Sequence, residues 1–349
     1  MYAKILETLS FQRGAIVIVT DTNVARLYTE TFFEELKKIK ANIFLVKIPP
    51  KESSKSRFIK ESIEDQLINL GVSRNDTIVA FGGGVVSDVV GYVAATYLRG
   101  VSYMVVPTTL MGMVDAAIGG KNGINHEKGK NLMGSLLAPD DVFIEPSFLK
   151  TLPYDVYLEG FMEVIKYGLI ADESFFDSIY EKSLSIHECI ERSIEIKKSI
   201  VKQDPKDIGL RRILNFGHLV AHAIEKCTAY VVSHGRALWY GMLIESYLSY
   251  LKGYLSLEGV KKIVDLLLRE ENRFALIDEI EPEALYNAMK VDKKAKESVP
   301  RAVLLKRIGK VVSFGGEYCT PISYNEFVSA FSWVNNLIAN PLDIRSFTA

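Results

Sequence analysis

Three of the chain's five histidines lie in one stretch, residues 210–235, LRRILNFGHLVAHAIEKCTAYVVSHG. His218 and His222 are four residues apart, so on a helix they project from one face. His234 follows just before Gly235, at an expected turn. Neutral imidazole is a good ligand for zinc and similar divalent metals, and clustered histidines are a common way to hold one. The bland alternative is a histidine pair packed against a core with a third in a loop. A carboxylate could complete a site with two histidines. Glu163, three residues before Lys166 on the apparent helix EVIKYG, is a candidate. Three N/O ligands would leave a coordination position open, which is the catalytic rather than the structural zinc arrangement. The pair is equally an ordinary Glu–Lys helix contact.

Two other groups suit anions. Gly82-Gly83-Gly84-Val85-Val86-Ser87-Asp88 runs from a strand into a helix. Glycines there let backbone N–H groups approach a pyrophosphate, and the helix N-terminus favours its charge. The pattern is not GxGxxG, and a tight turn needs the same residues. Asp88, expected in the first helical turn, could serve the helix or face a ligand. Lys121, Lys130 and Asn131 sit in DAAIGGKNGINHEKGKN (Asp115–Asn131), where repeated glycines suggest a loop able to hold a phosphate or carboxylate. Lys197, Lys198, Arg211 and Arg212 add further positive charge near the histidines.

The elements that must position these groups change character along the chain. In the first half, Ala15–Thr20, Ala41–Lys47, Thr77–Phe81 and Val101–Val106 read as strands, and Ser56–Leu70 reads as a helix stopped by Gly71. Alternation of this kind predicts a Rossmann-like, mostly parallel sheet with helices on both faces and ligands at the carboxyl ends of the strands. Asp21, the glycine triplet and Thr108-Thr109 all fall at such ends. Beyond a boundary near residue 150, marked by Leu152-Pro153, the periodicity is helical: Glu159–Ile170, Ser183–Val201 and Ala237–Leu251. Short strands at Ala302–Leu305 and Val311–Phe314 would form a hairpin. The organisation is therefore α/β, with a parallel-sheet domain over 1–150 and a mainly α-helical domain over 151–349. The expected ligand cleft lies between the two domains.

The 349 residues carry a net charge of −1, which points to neither a nucleic-acid nor an anionic-membrane partner. Three widely spaced cysteines, Cys189, Cys227 and Cys319, do not form a disulfide framework and suit a reducing compartment. The first residues lack a signal-peptide pattern, and no apolar run reaches membrane-spanning length. The expectation is a cytoplasmic enzyme.

The order of the motifs is more specific than any one of them. The chain resembles the 3-dehydroquinate synthases of the sugar-phosphate cyclase superfamily from about Asp21 to Gly309. The resemblance rests on GGGVVSD (82–88), TYLRGV (96–101), VPTTL (106–110), VDAAIGGKNGIN (114–125), GKN (129–131), KTLP (150–153), EVIKYG (163–168), RRILNFGH…HAIE (211–225), HGRA (234–237) and DKK (292–294). It implies that the first domain binds NAD and the second binds metal and substrate. It assigns zinc, with Co2+ as a possible substitute, to Glu163, His218 and His234. The metal pair is then not the i,i+4 pair, and His222 faces the substrate instead. NAD would be bound by Asp21, Asn23, Glu52, Lys55, Gly83, Gly84, Val85, Asp88, Thr108 and Thr109. The substrate would be held by Asp115, Lys121, Lys130, Asn131, Lys166, Lys197, Arg211, Asn215 and His222, of which Lys121, Lys166, Arg211, Asn215 and His222 would be catalytic. Lys293 or Lys294 would join them, and Arg99 would reach the site of a partner subunit in a homodimer.

The activity so implied converts 3-deoxy-D-arabino-heptulosonate 7-phosphate, a small sugar phosphate, into 3-dehydroquinate and phosphate, a step of aromatic amino acid synthesis. Transient oxidation at C5 acidifies the neighbouring C–H and phosphate is eliminated, with its own oxygen as base. Re-reduction and an intramolecular aldol step follow, so NAD is regenerated. Several positions depart from the family's usual residues: Lys51 and Ser87 for Gly, Ala116-Ala117 for a Ser pair, Asn122 and Leu219 for Thr, Ala221 for Gly, and Arg236 for Glu two residues after a proposed zinc ligand. None removes a residue assigned to chemistry. The alternatives are another sugar-phosphate cyclase, a zinc-dependent polyol dehydrogenase, which has no need of the Lys and Arg cluster, and a catalytically silent NAD-binding protein, against which the zinc triad argues.

Overall fold

The structure is a computed structural model that describes residues 3–127, 129–269, 274, 280–290 and 299–339. The candidate substrate lysines Lys293 and Lys294 lie outside the described residues. The chain divides into two compact units, Met1–Gly160 and Phe161–Ala349.

The first unit is built on five parallel strands in the order β2-β1-β3-β4-β7: β1 (Ile16–Asp21), β2 (Ile43–Ile48), β3 (Thr77–Gly82), β4 (Ser102–Pro107) and β7 (Asp141–Val142). The four longer strands fall within two residues of their expected bounds. Helices α1 (Ala3–Ser10), α2 (Thr22–Val24), α3 (Glu30–Lys37), α4 (Arg57–Asn69) and α5 (Gly84–Thr96) complete it, with the hairpin β5 (Lys121–His126) and β6 (Gly129–Leu136). Both faces of the sheet are covered, which is why its strands read as continuous apolar runs. Val17, Val19, Ile78, Ala80 and Val105 share a core with Ile63 and Leu67 of α4 and Val86, Val89 and Val90 of α5. On Phe81 pack Phe32 at 5.2 Å and Phe148 at 5.6 Å between ring centroids.

Helix α4 shows how local sequence sets these elements. The Ser56 hydroxyl caps it by accepting the Ile59 N–H at 3.3 Å, and Ile59, Ile63 and Leu67 are its buried stripe. Gly71 follows at φ +69, the left-handed conformation that ends helices.

The glycine-interrupted segment Asp115–Asn131, expected to be a loop, is largely not one. Residues Gly112–Ala116 form a π-helical turn, and β5 and β6 pair antiparallel from Lys121↔Leu136 to His126↔Gly129. The glycines serve the pairing. A Cβ at Gly134 would lie 1.9 Å from the Asn122 carbonyl oxygen, and one at Gly123 would lie 2.7 Å from that of Met133.

The second unit is mainly helical, as expected: α6 (Tyr154–Ala171, which begins in the first unit), α7 (Glu173–Tyr180), α8 (Ile186–Gln203), α9 (His218–Cys227), α10 (His234–Leu251), α11 (Leu257–Leu268), α12 (Pro282–Met289) and α13 (Tyr324–Ala339). The expected late hairpin is smaller than drawn. Strand β9 (Leu305–Arg307) pairs with β10 (Lys310–Val311), while β8 (Arg301–Ala302) pairs with β11 (Thr320–Pro321). Among the described residues, no helix is long and apolar enough to cross a membrane.

Candidate metal centre and dinucleotide turn

Glu163 and Lys166 sit one turn apart on α6, each 1% exposed, and form an ion pair. His218 opens α9. Its position is fixed by a close approach of α9 to α10. Gly217 holds φ +78, and a Cβ at Gly241 would lie 2.0 Å from the Gly217 carbonyl oxygen. The buried Glu245 carboxylate of α10 accepts the Gly217 N–H at 2.8 Å, clamping the residue before His218. His234 is the first residue of α10, behind the cap position Ser233, and not in a turn.

These three residues converge. Glu163 Oε1 lies 3.5 Å from His218 Nε2 and 3.4 Å from His234 Nε2. One ligand atom from each falls within 4.8 Å of the others. Zinc bonds of about 2.0–2.1 Å in tetrahedral array would put ligand atoms about 3.3–3.4 Å apart, so two of the separations already suit the ion. Both imidazoles have their other nitrogen engaged. His218 Nδ1 is 3.1 Å from the Phe216 carbonyl oxygen, and His234 Nδ1 is 3.4 Å from Glu225 Oε1. Each ring thus offers Nε2 to the same point. The donor set fits a divalent metal of the zinc type.

His222 is exposed and stands beside this trio, with its ring centroid 5.5 Å from that of His218. The i,i+4 spacing therefore picks out one helix face, whereas the converging trio draws on three helices. Burial and the nearby Lys166 charge hold His218 down at about 4. Burial acts the same way on His234, but the Glu225 and Glu163 carboxylates outweigh it and raise that ring to about 10. Burial would raise Glu163, yet Lys166 and the two imidazoles hold it well below the usual carboxylate range. Metal uptake near neutral pH would accordingly displace a proton from His234.

The anion-binding candidates of this unit are buried. Lys197 on α8 is 6% exposed, and Arg211, on the short helical turn Leu210–Asn215, is 2% exposed. Asp204 ends α8 and accepts N–H groups from Ile208 (3.1 Å), Gly209 (2.7 Å) and Arg211 (3.0 Å), so its carboxylate organises the loop presenting Arg211. Asn215 donates to the Arg212 carbonyl at 3.1 Å. Leu219 and Ala221, where the family has Thr and Gly, are absorbed into the core, and Arg236 is half-buried in the first turn of α10.

In the first unit the register brings the strand ends level, since Thr20 pairs with Phe81 and Gly82 with Pro107. Gly83 is the cap position of α5, and a Cβ there would touch Thr109 Cγ2 at 3.0 Å. The Thr108 N–H donates to the Gly82 carbonyl at 2.9 Å. Gly83, Gly84, Val85, Thr108 and Thr109 are thus gathered at the N-terminus of a 13-residue helix, which fits a pyrophosphate. The Asp21 carboxylate caps α2, accepting from Asn23 N at 2.8 Å and Val24 N at 3.1 Å.

Asp88 is the fifth residue of α5, past the first turn where it was expected. It accepts from the buried Lys55 at 2.5 Å. Burial raises its carboxyl above the ordinary value although Lys55 opposes it. Glu52 Oε1 lies 3.9 Å from Lys55 Nζ and 3.6 Å from Lys130 Nζ, and it accepts from Asn125 at 2.7 Å. Asn125 in turn accepts the Asn131 N–H at 3.0 Å. Candidate dinucleotide and substrate residues therefore form one network, with Asn125 as a member that the motif contained but to which no role was given. Lys51, where the family has Gly, has φ 81 and ψ 167, a strained place for a side chain. Lys121 opens β5 and is exposed, and Asp115 lies in the π-helical turn. Arg99 is exposed, at φ +66.

Comparison with known proteins shows the family. Models of the 3-dehydroquinate synthase N-terminal and C-terminal regions match residues 45–159 and 160–295. A 3-dehydroquinate synthase of Chlamydia caviae is 37% identical over 326 residues, which is 87% of this chain and 86% of that protein. The structure of ValA, a 2-epi-5-epi-valiolone synthase from Streptomyces hygroscopicus subsp. jinggangensis 5008 with NAD+ and Zn2+ bound, has TM-score 0.85 at 26% identity over 92% of this chain and 91% of that one. A 2-deoxy-scyllo-inosose synthase complexed with carbaglucose-6-phosphate, NAD+ and Co2+ has TM-score 0.85 over 94% of each chain, and its 22% identity speaks to the fold alone.

Proposed function

The chain belongs to the 3-dehydroquinate synthase family, and from that premise we propose that it converts 3-deoxy-D-arabino-heptulosonate 7-phosphate to 3-dehydroquinate and phosphate, as an NAD- and metal-dependent carbon–oxygen lyase. The observation that carries the reading is the trio Glu163, His218 and His234, with ligand atoms within 4.8 Å of one another. Metal there would supply a Lewis acid for a substrate hydroxyl, and NAD at the α5 turn would accept and return a hydride.

The chain's own residues bind and orient. Buried Lys197 and Arg211 offer charge with little water to compete, which strengthens their hold on an anion. Lys121, Lys130, Asn131 and Asp115 of the first unit and Lys166, Asn215 and His222 of the second are the remaining proposed substrate contacts. Lys121, Lys166, Arg211, Asn215 and His222 act nearest the reacting atoms. A substrate bearing both a carboxylate and a phosphate accounts for this many cations in a chain whose net charge is −1. The protein is assigned to the cytoplasm as a homodimer, with exposed Arg99 serving the partner's site.

The likeness to ValA, a 2-epi-5-epi-valiolone synthase, favours one second reading, another cyclase acting on a different sugar phosphate, taken as one without the carboxylate. An assay with the heptulosonate phosphate, NAD and zinc distinguishes the readings. Phosphate is expected to be released only with NAD present, and absorbance from NADH should stay flat. NADH rising in step with product would mean a dehydrogenase. Phosphate release only from the non-acidic sugar phosphate would mean the other cyclase.

A further inference from the structure

Glu225 touches His234 but has no part in the proposed reaction. It lies on α9, seven residues after His218, and is 1% exposed. Its backbone carbonyl accepts the Tyr230 N–H at 2.7 Å and the Thr228 hydroxyl at 3.3 Å, closing the end of α9 and starting the loop that returns to His234. Its carboxylate Oε1 is 3.4 Å from His234 Nδ1, while His234 Nε2 is 3.4 Å from Glu163 Oε1. The His234 ring is therefore bracketed by two carboxylates, one on each nitrogen. His218 differs, because its Nδ1 faces the neutral carbonyl of Phe216. A buried carboxylate is costly unless something pairs with it, and His234 Nδ1 is a group the geometry places beside this one.

We propose that Glu225 is a positioning residue of the metal centre, accepting the Nδ1–H of His234 so that the Nε2 lone pair is held toward the metal. A carboxylate accepting the other N–H of an imidazole ligand fixes its tautomer and orientation and also raises its basicity, and removing such a partner commonly weakens metal binding about 10–100-fold. The inference rests on the assignment of Glu163, His218 and His234 as ligands. Helix α9 thereby supplies one ligand, His218, and the group that orients another.

The test compares the full-length parent with Glu225→Gln, Glu225→Asp and Glu225→Ala by chelator competition for zinc at fixed pH. Nitrogen-15 spectra of the histidine side chains are recorded in parallel. The expected order of affinity is parent, then Gln, which still accepts the hydrogen bond, then Asp and Ala. The Ala variant should lie about 10–100-fold below the parent. In the zinc-loaded parent, His234 should carry its proton on Nδ1. Zinc affinity in the Ala and Asp variants within twofold of the parent, or a His234 proton not on Nδ1, would overturn the inference and leave the ligand assignment standing. A parent that binds no zinc would overturn both. If Glu225→Ala fails to fold, the comparison of Gln with Asp decides the matter. They differ in reach and charge, so equal affinities for the two would reject a directed hydrogen bond.

Discussion

His234→Ala is expected to fold and to lose most of its zinc affinity. Binding at a protein zinc site is worth roughly 10 kcal/mol or more in all, so one of a few ligands carries about 3 kcal/mol, on the order of a hundredfold in affinity. Turnover at limiting zinc should fall further, by about a thousandfold, because the Lewis acid is worth several kcal/mol in the transition state. Excess zinc should recover part of the loss. Metal analysis of the purified variant, alongside phosphate release, checks this. Full zinc occupancy with unchanged turnover would remove His234 from the ligand set.

Lys166→Met should have the largest effect on stability, and the size should depend on metal. Lys166 and Glu163 are each 1% exposed and paired. Breaking a buried pair by removing one partner costs about 3–5 kcal/mol, since it leaves an uncompensated charge. In metal-free protein the penalty is expected to fall somewhat below that range, because the protonated His234 ring, 3.4 Å from Glu163 Oε1, still faces the carboxylate. With zinc bound, a divalent cation faces the Glu163 carboxylate, and the penalty should shrink by at least about half. Denaturant midpoints with zinc and with chelator measure the difference. Equal destabilisation in the two conditions would mean that Lys166 does not serve Glu163.

Much of the architecture could be read from the residues. The strands of the parallel sheet announced themselves as β-branched runs because both faces are buried. Ser56 and Gly71 marked the ends of α4 because they flank a stretch with a clear helical period. The Lys121–Leu136 hairpin was missed for the opposite reason. Its glycines, which permit strands to approach, look the same in sequence as glycines that loosen a loop. Strand β7 is two residues long and carries no periodicity.

The metal centre was legible only in part. Spacing on one helix brought out His218 and His222, but coordination depends on what the loops fold back. The three residues that converge come from α6 and from the first residues of α9 and α10, and the order of motifs pointed to the same three where spacing did not. His234 looked like a turn residue because Gly235 follows it, yet the two residues begin a helix. Glu225 closes the HAIE motif, but nothing in that motif tied it to His234. It is nine positions from His234, and the loop between them determines the contact. Asp204 is similar, since its carboxylate looks like any surface aspartate until it is seen to hold three N–H groups of the Arg211 loop.

The central claim is that hydride leaves a substrate carbon and returns to the same molecule. Heptulosonate phosphate carrying deuterium at C5 tests it most directly. After complete turnover with unlabelled NAD in ordinary water, mass spectrometry of the product should find the deuterium retained at the corresponding carbon, with none in the nicotinamide pool. Deuterium recovered in NADH or lost to solvent would contradict the account.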